Sequence, residues 1–565
     1  MSSPQVTPNL DEFQRAVVAH RRGPLLVLAG PGTGKTTTIV EAVATRMVES
    51  TNEPRGQQAT SGTPVVGQPP VLVLTFGRAA ADELRERIAT RIGTGVLPTV
   101  ATFHSFSYAL LREFSSADEF ATTPRLIDAA DQDARLREML TNAVHEGRVP
   151  WPSELNAAIG TKGLAEQVRE LLARAQLLGF DEVALRRAAE AAGIGTWAAL
   201  ADFLGEYLDV LDASGVLDYS ELIHRAVVLA ADPGIADVLR RRYRAIYVDE
   251  YQDTDPAQVQ LLQALTSTDS TFVAVGDPDQ SIYGFRGADV GGILRFRDDF
   301  PTTTGEPPQI VVLRETRRFG SNIAQAAGRV IRRVGLGKLP AQIQREHRSP
   351  ICVKPDPGSV EIVTFDSTAA QAVAIADRIR RARLTGEVSA WSEVAVIVRS
   401  AVSTLPLLAQ ALESAGVPID LVTDEIPLRE HRAVKPLLEV ISVASDVNRL
   451  TVDRTKLLLF SAMIGIDGLT YRRLARALRN VLSESTSGAP PKSDHAVRRA
   501  LTDDEFWREV QPKVSADLLA PIATLRGVLA AATVAIADGA EVQQVLWAVW
   551  SATDWSSRLA RTARG

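Results

Sequence analysis

The stretch Ala29-Gly30-Pro31-Gly32-Thr33-Gly34-Lys35-Thr36 decides the fold class, because of what flanks it. The apolar run Leu25–Leu28 precedes it and a helical stretch follows, so it sits at a strand-to-helix turn. It fits G-x-x-x-x-G-K-[ST], with Ala29 in place of the first glycine. Glycines let successive backbone N–H groups wrap a phosphate at a helix N-terminus. Lys35 is placed to reach the β- and γ-phosphates of ATP, and the Thr36 hydroxyl to ligate Mg²⁺. The plainer alternative is an ordinary Gly-rich turn, which the strand–loop–helix setting makes the minority reading.

Outward from this loop, short apolar runs alternate with helical periodicity, the pattern of an α/β protein. Strands are expected at Leu25–Leu28, Val71–Leu74, Ile246–Val248, Phe272–Val275, Ile310–Leu313, Val360–Phe365 and Val394–Val398. After the second run, Ala80, Leu84, Ile88 and Ile92 recur every four residues among Arg and Glu, predicting an amphipathic helix on a sheet. Residues 51–70 are polar and rich in Gly and Pro, a solvated loop, with similar breaks at 301–308 and 484–494. From about 107 to 240 only helical stretches are expected, and a second helical block runs from about 430 to the end. Only the first α/β portion carries a phosphate loop.

A metal-holding acid belongs at the end of another buried strand. Ala245-Ile246-Tyr247-Val248-Asp249-Glu250 supplies one: Asp249 to hold Mg²⁺, Glu250 to orient and deprotonate the attacking water. Alone, such a pair is weak, since strand ends often carry acids; beside the phosphate loop it is strong.

Composition sets the outer limits. At about 150 residues per domain, 565 residues predict three to four domains. With 45% apolar and 23% charged residues, a disordered, collagen-like or coiled-coil chain is excluded. The net charge of −6 removes any global basic character but not a local basic groove for nucleic acid. Only 8 of the 62 basic residues are lysine, a bias that GC-rich coding accounts for. The single cysteine, Cys352, excludes a disulfide framework and a multi-cysteine metal site. Leu25–Ala29 and Val71–Leu74, read as the longest apolar runs, fall far short of the ~18 residues that span a bilayer. The N-terminus lacks a signal-peptide pattern. A cytoplasmic protein with no membrane partner is expected.

Two strings then become decisive: Val248-Asp249-Glu250-Tyr251-Gln252-Asp253-Thr254 and Val275-Gly276-Asp277-Pro278-Asp279-Gln280-Ser281-Ile282-Tyr283-Gly284-Phe285-Arg286-Gly287-Ala288. They resemble the UvrD/Rep family of superfamily 1 DNA helicases. Leu10 through Ala16 (LDEFQRA) resembles that family's adenine-reading Q motif, Leu74-Thr75-Phe76 its motif Ia, and Thr102-Phe103-His104-Ser105-Phe106 its motif Ib. Leu217 through Leu222 resembles the segment before the acidic strand, and Leu313 through Asn322 motif IV. The resemblance implies a P-loop NTPase of RecA-like parallel-sheet domains with two large helical insertions. It implies that Gln14 reads adenine, Gln280 contacts the γ-phosphate and Arg318 is an arginine finger. Thr75, Phe76, Thr102, His104, Tyr283 and Phe285 would lie along single-stranded DNA, with Arg286 linking that path to the nucleotide. Core packing is the ordinary role of each aromatic taken alone.

The expected layout is a first RecA-like domain in two parts, 1–106 and 226–309, split by a helical insertion at 107–225. The first part of a second RecA-like domain follows at 310–425, then a second insertion at 426–565. The chain departs from the family pattern in four places. Arg317 stands where motif IV commonly has an adenine-stacking Tyr, so adenine is expected to be held by a cation–π contact or simply less tightly. Phe285 replaces a Trp, and Gly77-Arg78 follow Thr75-Phe76 where the family has a Thr-Asn-Lys run. Motifs V and VI, with the second arginine finger, are absent. Two accounts stay open: a fragment of a longer helicase, which is favoured, or a nucleotide- and DNA-binding subunit with little ATPase activity. The segments AGPGTGKTTTIVEAV and VLTFGRAAADELRERI resemble mycobacterial AdnAB-type helicase–nucleases. This implies action on single strands and duplex DNA ends in break resection, 3′-to-5′ polarity and a second helicase–nuclease subunit as partner.

Overall fold

The computed structural model describes residues 9–52, 70–93, 96–115, 124–281, 290–420, 434–484, 492–555 and 558. The chain divides into two compact units, 1–361 and 362–565.

Among the described residues of the first unit, ten strands are numbered along the chain: β1 Gly23–Ala29, β2 Val71–Thr75, β3 Thr99–Thr102, β4 Arg125–Leu126, β5 Val216–Leu217, β6 Ala245–Val248, β7 Thr271–Gly276, β8 Gln309–Leu313, β9 Glu315–Thr316 and β10 Ile351–Cys352. Six form one sheet in the order β3-β2-β6-β7-β1-β8, every pairing parallel. Because side chains alternate along a strand, each strand feeds both faces. Leu26, Leu28, Leu72, Leu74, Ile246, Val248 and Phe272 pack into one apolar cluster. Leu25, Val27, Val71, Val73, Tyr247, Val273 and Val275 pack into another. Both faces are therefore covered, the condition that lets near-continuous apolar runs serve as parallel strands. All six strands run the same way, so the loops after β1, β6 and β7 emerge at one edge, where ligands of open parallel sheets bind.

The helix predicted after β2 is Arg78–Ile92, with Ala81, Leu84 and Ile88 buried against the sheet; the buried stripe starts at Ala81 rather than Ala80. The boundaries expected at 106/107 and 225/226 fall inside the helices Phe103–Phe114 and Tyr219–Ala231. Those helices anchor in the sheet's own core through Phe103, Phe106, Leu110 and Ile223, so the helical block grows out of mid-helix. That block has its own core around Leu136, Leu140, Leu172, Phe203 and Tyr207. The expectation of no strands there needs one correction: β4 and β5 pair in parallel over two residues each. The boundary expected at 309/310 cuts β8, whose hydrogen bonds to β1 hold it in the first unit's sheet. The strand Thr99–Thr102 escaped prediction because its TVAT sequence lacks an apolar run.

The second unit contains the helices Thr368–Leu384 and Ala401–Ser414, packed through Ala372, Ala376, Leu408 and Leu412. A helical bundle follows from Lys435 to Ser551, with a core that includes Leu458, Leu474, Leu478, Ile522 and Val549. The strands expected at Val360–Phe365 and Val394–Val398 do not form: neither segment is a strand or pairs with one among the described residues. An isolated apolar strand has no partner for its backbone N–H and C=O groups. Ile362 and Ile397 are accordingly 89% and 94% exposed. The expectation that no apolar stretch approaches a membrane span also needs correction. The helix Ala516–Ala537, 22 residues long, is apolar and long enough by composition to cross one. Its Leu519, Ile522, Leu525, Val528 and Ala532 are buried in the bundle core.

Candidate nucleotide-binding site

The phosphate loop leaves β1 directly after Ala29, which is fully buried, and enters the helix Lys35–Asn52. Gly30 is half-buried and Pro31 exposed. Gly32 and Gly34 adopt φ of +76° and +86°, the left-handed region that only glycine enters without strain. Space demands glycine too. A Cβ on Gly32 would overlap Arg318 Cβ and lie 2.8 Å from Thr316 Oγ1, and one on Gly34 would lie 2.5 Å from Gln14 Nε2. Thr33, 1% exposed, braces the loop by donating its hydroxyl to Gly30 O at 2.8 Å. Thr36 is half-buried beside Lys35.

Two flanking segments hold the loop from outside. Asp11 caps the helix Glu12–Val18 by accepting from Gln14 N at 2.8 Å, while Asp11 N donates to Gln14 Oε1 at 3.1 Å. The Gln14 amide also donates to Thr33 O at 3.2 Å, so this buried glutamine is tied to the loop. On the other side Thr316 Oγ1 donates to Pro31 O at 2.9 Å and Arg317 N to Gly32 O at 3.0 Å. The Arg317 side chain pairs with Glu315 at 2.7 Å and with Asp11 at 3.4 Å. Arg318 is exposed, with its Cβ directly against Gly32.

The acids lie at the ends of β6 and β7. Asp249, 6% exposed, follows β6; burial first, then the neighbouring Glu250 charge, push its carboxyl up to about 6 against the opposing pull of Lys35. A divalent cation beside this carboxylate would offset the burial penalty. Glu250 is the one non-glycine residue with left-handed φ (+51°) among the described residues. Such a conformation is strained in an L-residue and persists where the surroundings impose it. Its carboxylate accepts from Lys35 Nζ at 2.7 and 3.0 Å and from Gln252 Nε2 at 2.8 Å.

Gln252, which the sequence did not single out, links the two strand ends of the candidate site. It is 1% exposed and its other amide atom, Oε1, accepts from Asp277 N at 2.9 Å, joining the strand end that carries Glu250 to the one that carries Gln280. Gly276 keeps that contact possible, since a Cβ there would lie 2.7 Å from Gln252 Oε1. Its place inside the string Val248 through Thr254, with an amide that can both donate and accept, was the available signal. Gln280 Nε2 donates to Asp277 Oδ2 at 2.6 Å.

Of the residues expected along DNA, Thr75 is fully buried at the end of β2, with no hydrogen-bond partner for its hydroxyl. Phe76 is half-buried. Thr102 caps the helix Phe103–Phe114 by accepting from Ser105 N at 3.1 Å. His104 sets its ring edge-on to Tyr219, centroids 5.2 Å apart; burial and the Arg78 charge lower it to about 4, so the imidazole is neutral. Tyr283, Phe285 and Arg286 lie outside the described residues.

Comparison with known proteins agrees with this arrangement. Residues 10–301, just over half of the chain, match the UvrD/REP helicase N-terminal domain. The chain is 32% identical over 456 residues to the ATP-dependent DNA helicase UvrD1 of Mycobacterium tuberculosis, covering 78% of this chain and 53% of that one. It is 31% identical over 434 residues to UvrD2 of the same organism, covering 74% and 55%. It is 25% identical over 485 residues to PcrA of Bacillus subtilis, covering 83% and 59%. The chain thus spans about half the length of the curated relatives it matches. With the phosphate loop, the acidic strand end and the matched span all falling in the first unit, this chain belongs to the UvrD/REP helicase family.

Proposed function

We propose that this chain supplies the ATP-hydrolysing half of a DNA helicase or translocase. The observation that carries the reading is Glu250: a strained, left-handed acid next to buried Asp249, hydrogen-bonded to the phosphate-loop Lys35. The glycines and Lys35 would hold the phosphates, Thr36 and Asp249 would hold Mg²⁺, and Gln14 would approach adenine from the helix Glu12–Val18. A bound Mg²⁺ supplies charge neutralisation on the phosphates. Glu250 takes the proton of the attacking water, Gln280 meets the γ-phosphate, and Arg318, against Gly32, offsets charge on the transferring group. Arg317, paired with two carboxylates, is fixed beside the Q-motif segment.

The finer reading is movement 3′-to-5′ along single-stranded DNA in repair or recombination. There the chain would act on duplex ends as the motor part of an AdnAB-type helicase–nuclease with a second subunit, in the cytoplasm. The motif resemblance and the helicase relatives support this reading. Phe76 and His104 are the described aromatics that would face the strand, with stacking worth ~1–3 kcal/mol per base.

The test is steady-state ATPase with and without single-stranded DNA. Stimulation by DNA is expected, and Glu250→Gln should lower turnover ~10²–10⁴-fold with nucleotide affinity undiminished. Lys35→Ala should abolish nucleotide binding. An ATPase that survives Lys35→Ala, or that ignores DNA, overturns the reading.

A further inference from the structure

Behind Gln280, two residues from outside the quoted motifs, His347 and Arg348, close on Asp277 and Asp279. The short helix Ala341–His347 ends on the loop that follows β7. His347, 7% exposed, hydrogen-bonds through Nε2 to Asp277 Oδ1 at 3.0 Å and lies 3.5 Å from Asp279 Oδ2. The next residue, Arg348, forks onto both Asp279 oxygens, one contact being Nε to Oδ2 at 2.9 Å, and donates to Val334 O at 2.8 Å. Asp277 is the hub. Its Oδ1 also accepts from Asp279 N at 2.9 Å, its Oδ2 accepts from Gln280 Nε2, and its own N–H is held by Gln252.

Asp277, Asp279 and His347 are close enough together to hold a metal ion, with ligand atoms within 4.8 Å of one another. The partners argue otherwise. Arg348 occupies both Asp279 oxygens and Gln280 occupies Asp277 Oδ2, so a dication would have to displace a guanidinium and an amide. Burial opposes charge on His347, but the hydrogen bonds to Asp277 and Asp279 outweigh it and raise the imidazole to about 9. Two carboxylates thus face an imidazolium and a guanidinium, a balanced set with no charge left over for a metal.

From this geometry we infer that His347 and Arg348 are positioning residues that fix Asp277 and, through it, aim the Gln280 amide at the terminal phosphate of a bound nucleoside triphosphate. The inference rests on the nucleotide-site reading above. Gln280 shares one carboxylate with His347, so removing His347 frees Asp277 to rotate and Gln280 to follow. Since a diphosphate lacks the group that Gln280 meets, the pair acts on discrimination between triphosphate and diphosphate, not on general affinity.

The experiment is calorimetric titration of the full chain with Mg–AMPPNP and Mg–ADP. Gln280→Ala should weaken AMPPNP ~10-fold, the worth of a hydrogen bond to a charged group, and leave ADP unchanged. His347→Ala should reproduce most of that loss, again with ADP unchanged, and His347→Gln, which keeps a donor, should restore it. The double variant should be no weaker than Gln280→Ala alone, because residues acting through one another are not additive. Thermal unfolding checks folding, and the half-buried Arg348→Ala carries the test if His347→Ala does not fold. An unchanged AMPPNP-to-ADP ratio in these variants, or losses that add to that of Gln280→Ala, overturns the inference alone. A wild-type chain that binds neither nucleotide, or binding that survives Lys35→Ala, overturns the nucleotide-site reading and the inference with it.

Discussion

Two stretches of nearly the same composition meet opposite fates. Val71–Thr75 reads VLVLT and is a fully buried strand between β3 and β6. Val394–Val398 reads VAVIV, yet it pairs with no strand among the described residues and leaves Ile397 94% exposed. β-branched and apolar residues favour a pleated, half-buried surface, but they do not supply the neighbour whose N–H and C=O groups complete the ladder. The first unit furnishes that neighbour on both sides and a cover on both faces; the functional residues stand on the edge of that completed sheet.

The largest expected effect probes this contrast head on. Val275→Asp places a charge at a fully buried position of β7 and should destabilise the first unit by ~4 kcal/mol or more, abolishing nucleotide binding. Ile397→Asp should stay within ~0.5 kcal/mol. Urea unfolding of both variants decides it, and a severe loss from Ile397→Asp would mean that the segment is packed in solution. A smaller effect separates strain from contact. Gly34 and Gly386 both have left-handed φ, but only Gly34 faces a side chain, that of Gln14. Alanine at either position should cost ~1–2 kcal/mol in strain, while only Gly34→Ala should also weaken nucleotide binding, by ~10-fold, as titration would report.

The smallest effect is a pH dependence. The native carboxyl of Asp249 sits near 6, above its ordinary value, so the folded chain holds this proton more tightly than the unfolded one. Its contribution to stability therefore falls as pH rises from about 4 to about 6. A cation needs the ionised form, so Mg²⁺-dependent nucleotide affinity should be full about one pH unit above 6 and decline through 6 and below. Affinity that is flat from pH 5 to 7 would separate Asp249 from the metal.

Local chemistry made much of this legible. Gly32, Gly34, Lys35 and Thr36 announce a phosphate loop because few other tasks need that set at that spacing, and five of the seven expected strands formed because an apolar run coincided with available partners. What stayed hidden depends on tertiary neighbours. Gln252 looks like any polar residue until β6 and β7 bring Glu250 and Asp277 to either side of it. His347 and Arg348 lie some 70 residues beyond Asp277 and Asp279, a separation across which periodicity carries no information. The positive φ of Glu250 comes from its surroundings, not from any preference of glutamate.

The ion pair between Lys35 and Glu250 makes substrate recognition a contest. The ammonium that would grip a phosphate is already held by the carboxylate that would serve as base, at 2.7 Å. Under the function proposed above, an incoming triphosphate would be a rival for that lysine, and by winning it would release the glutamate to accept a proton. The site would then work as an interlock: general-base capacity would become available in the same event that loads the group to be attacked, so water would not be activated ahead of its target.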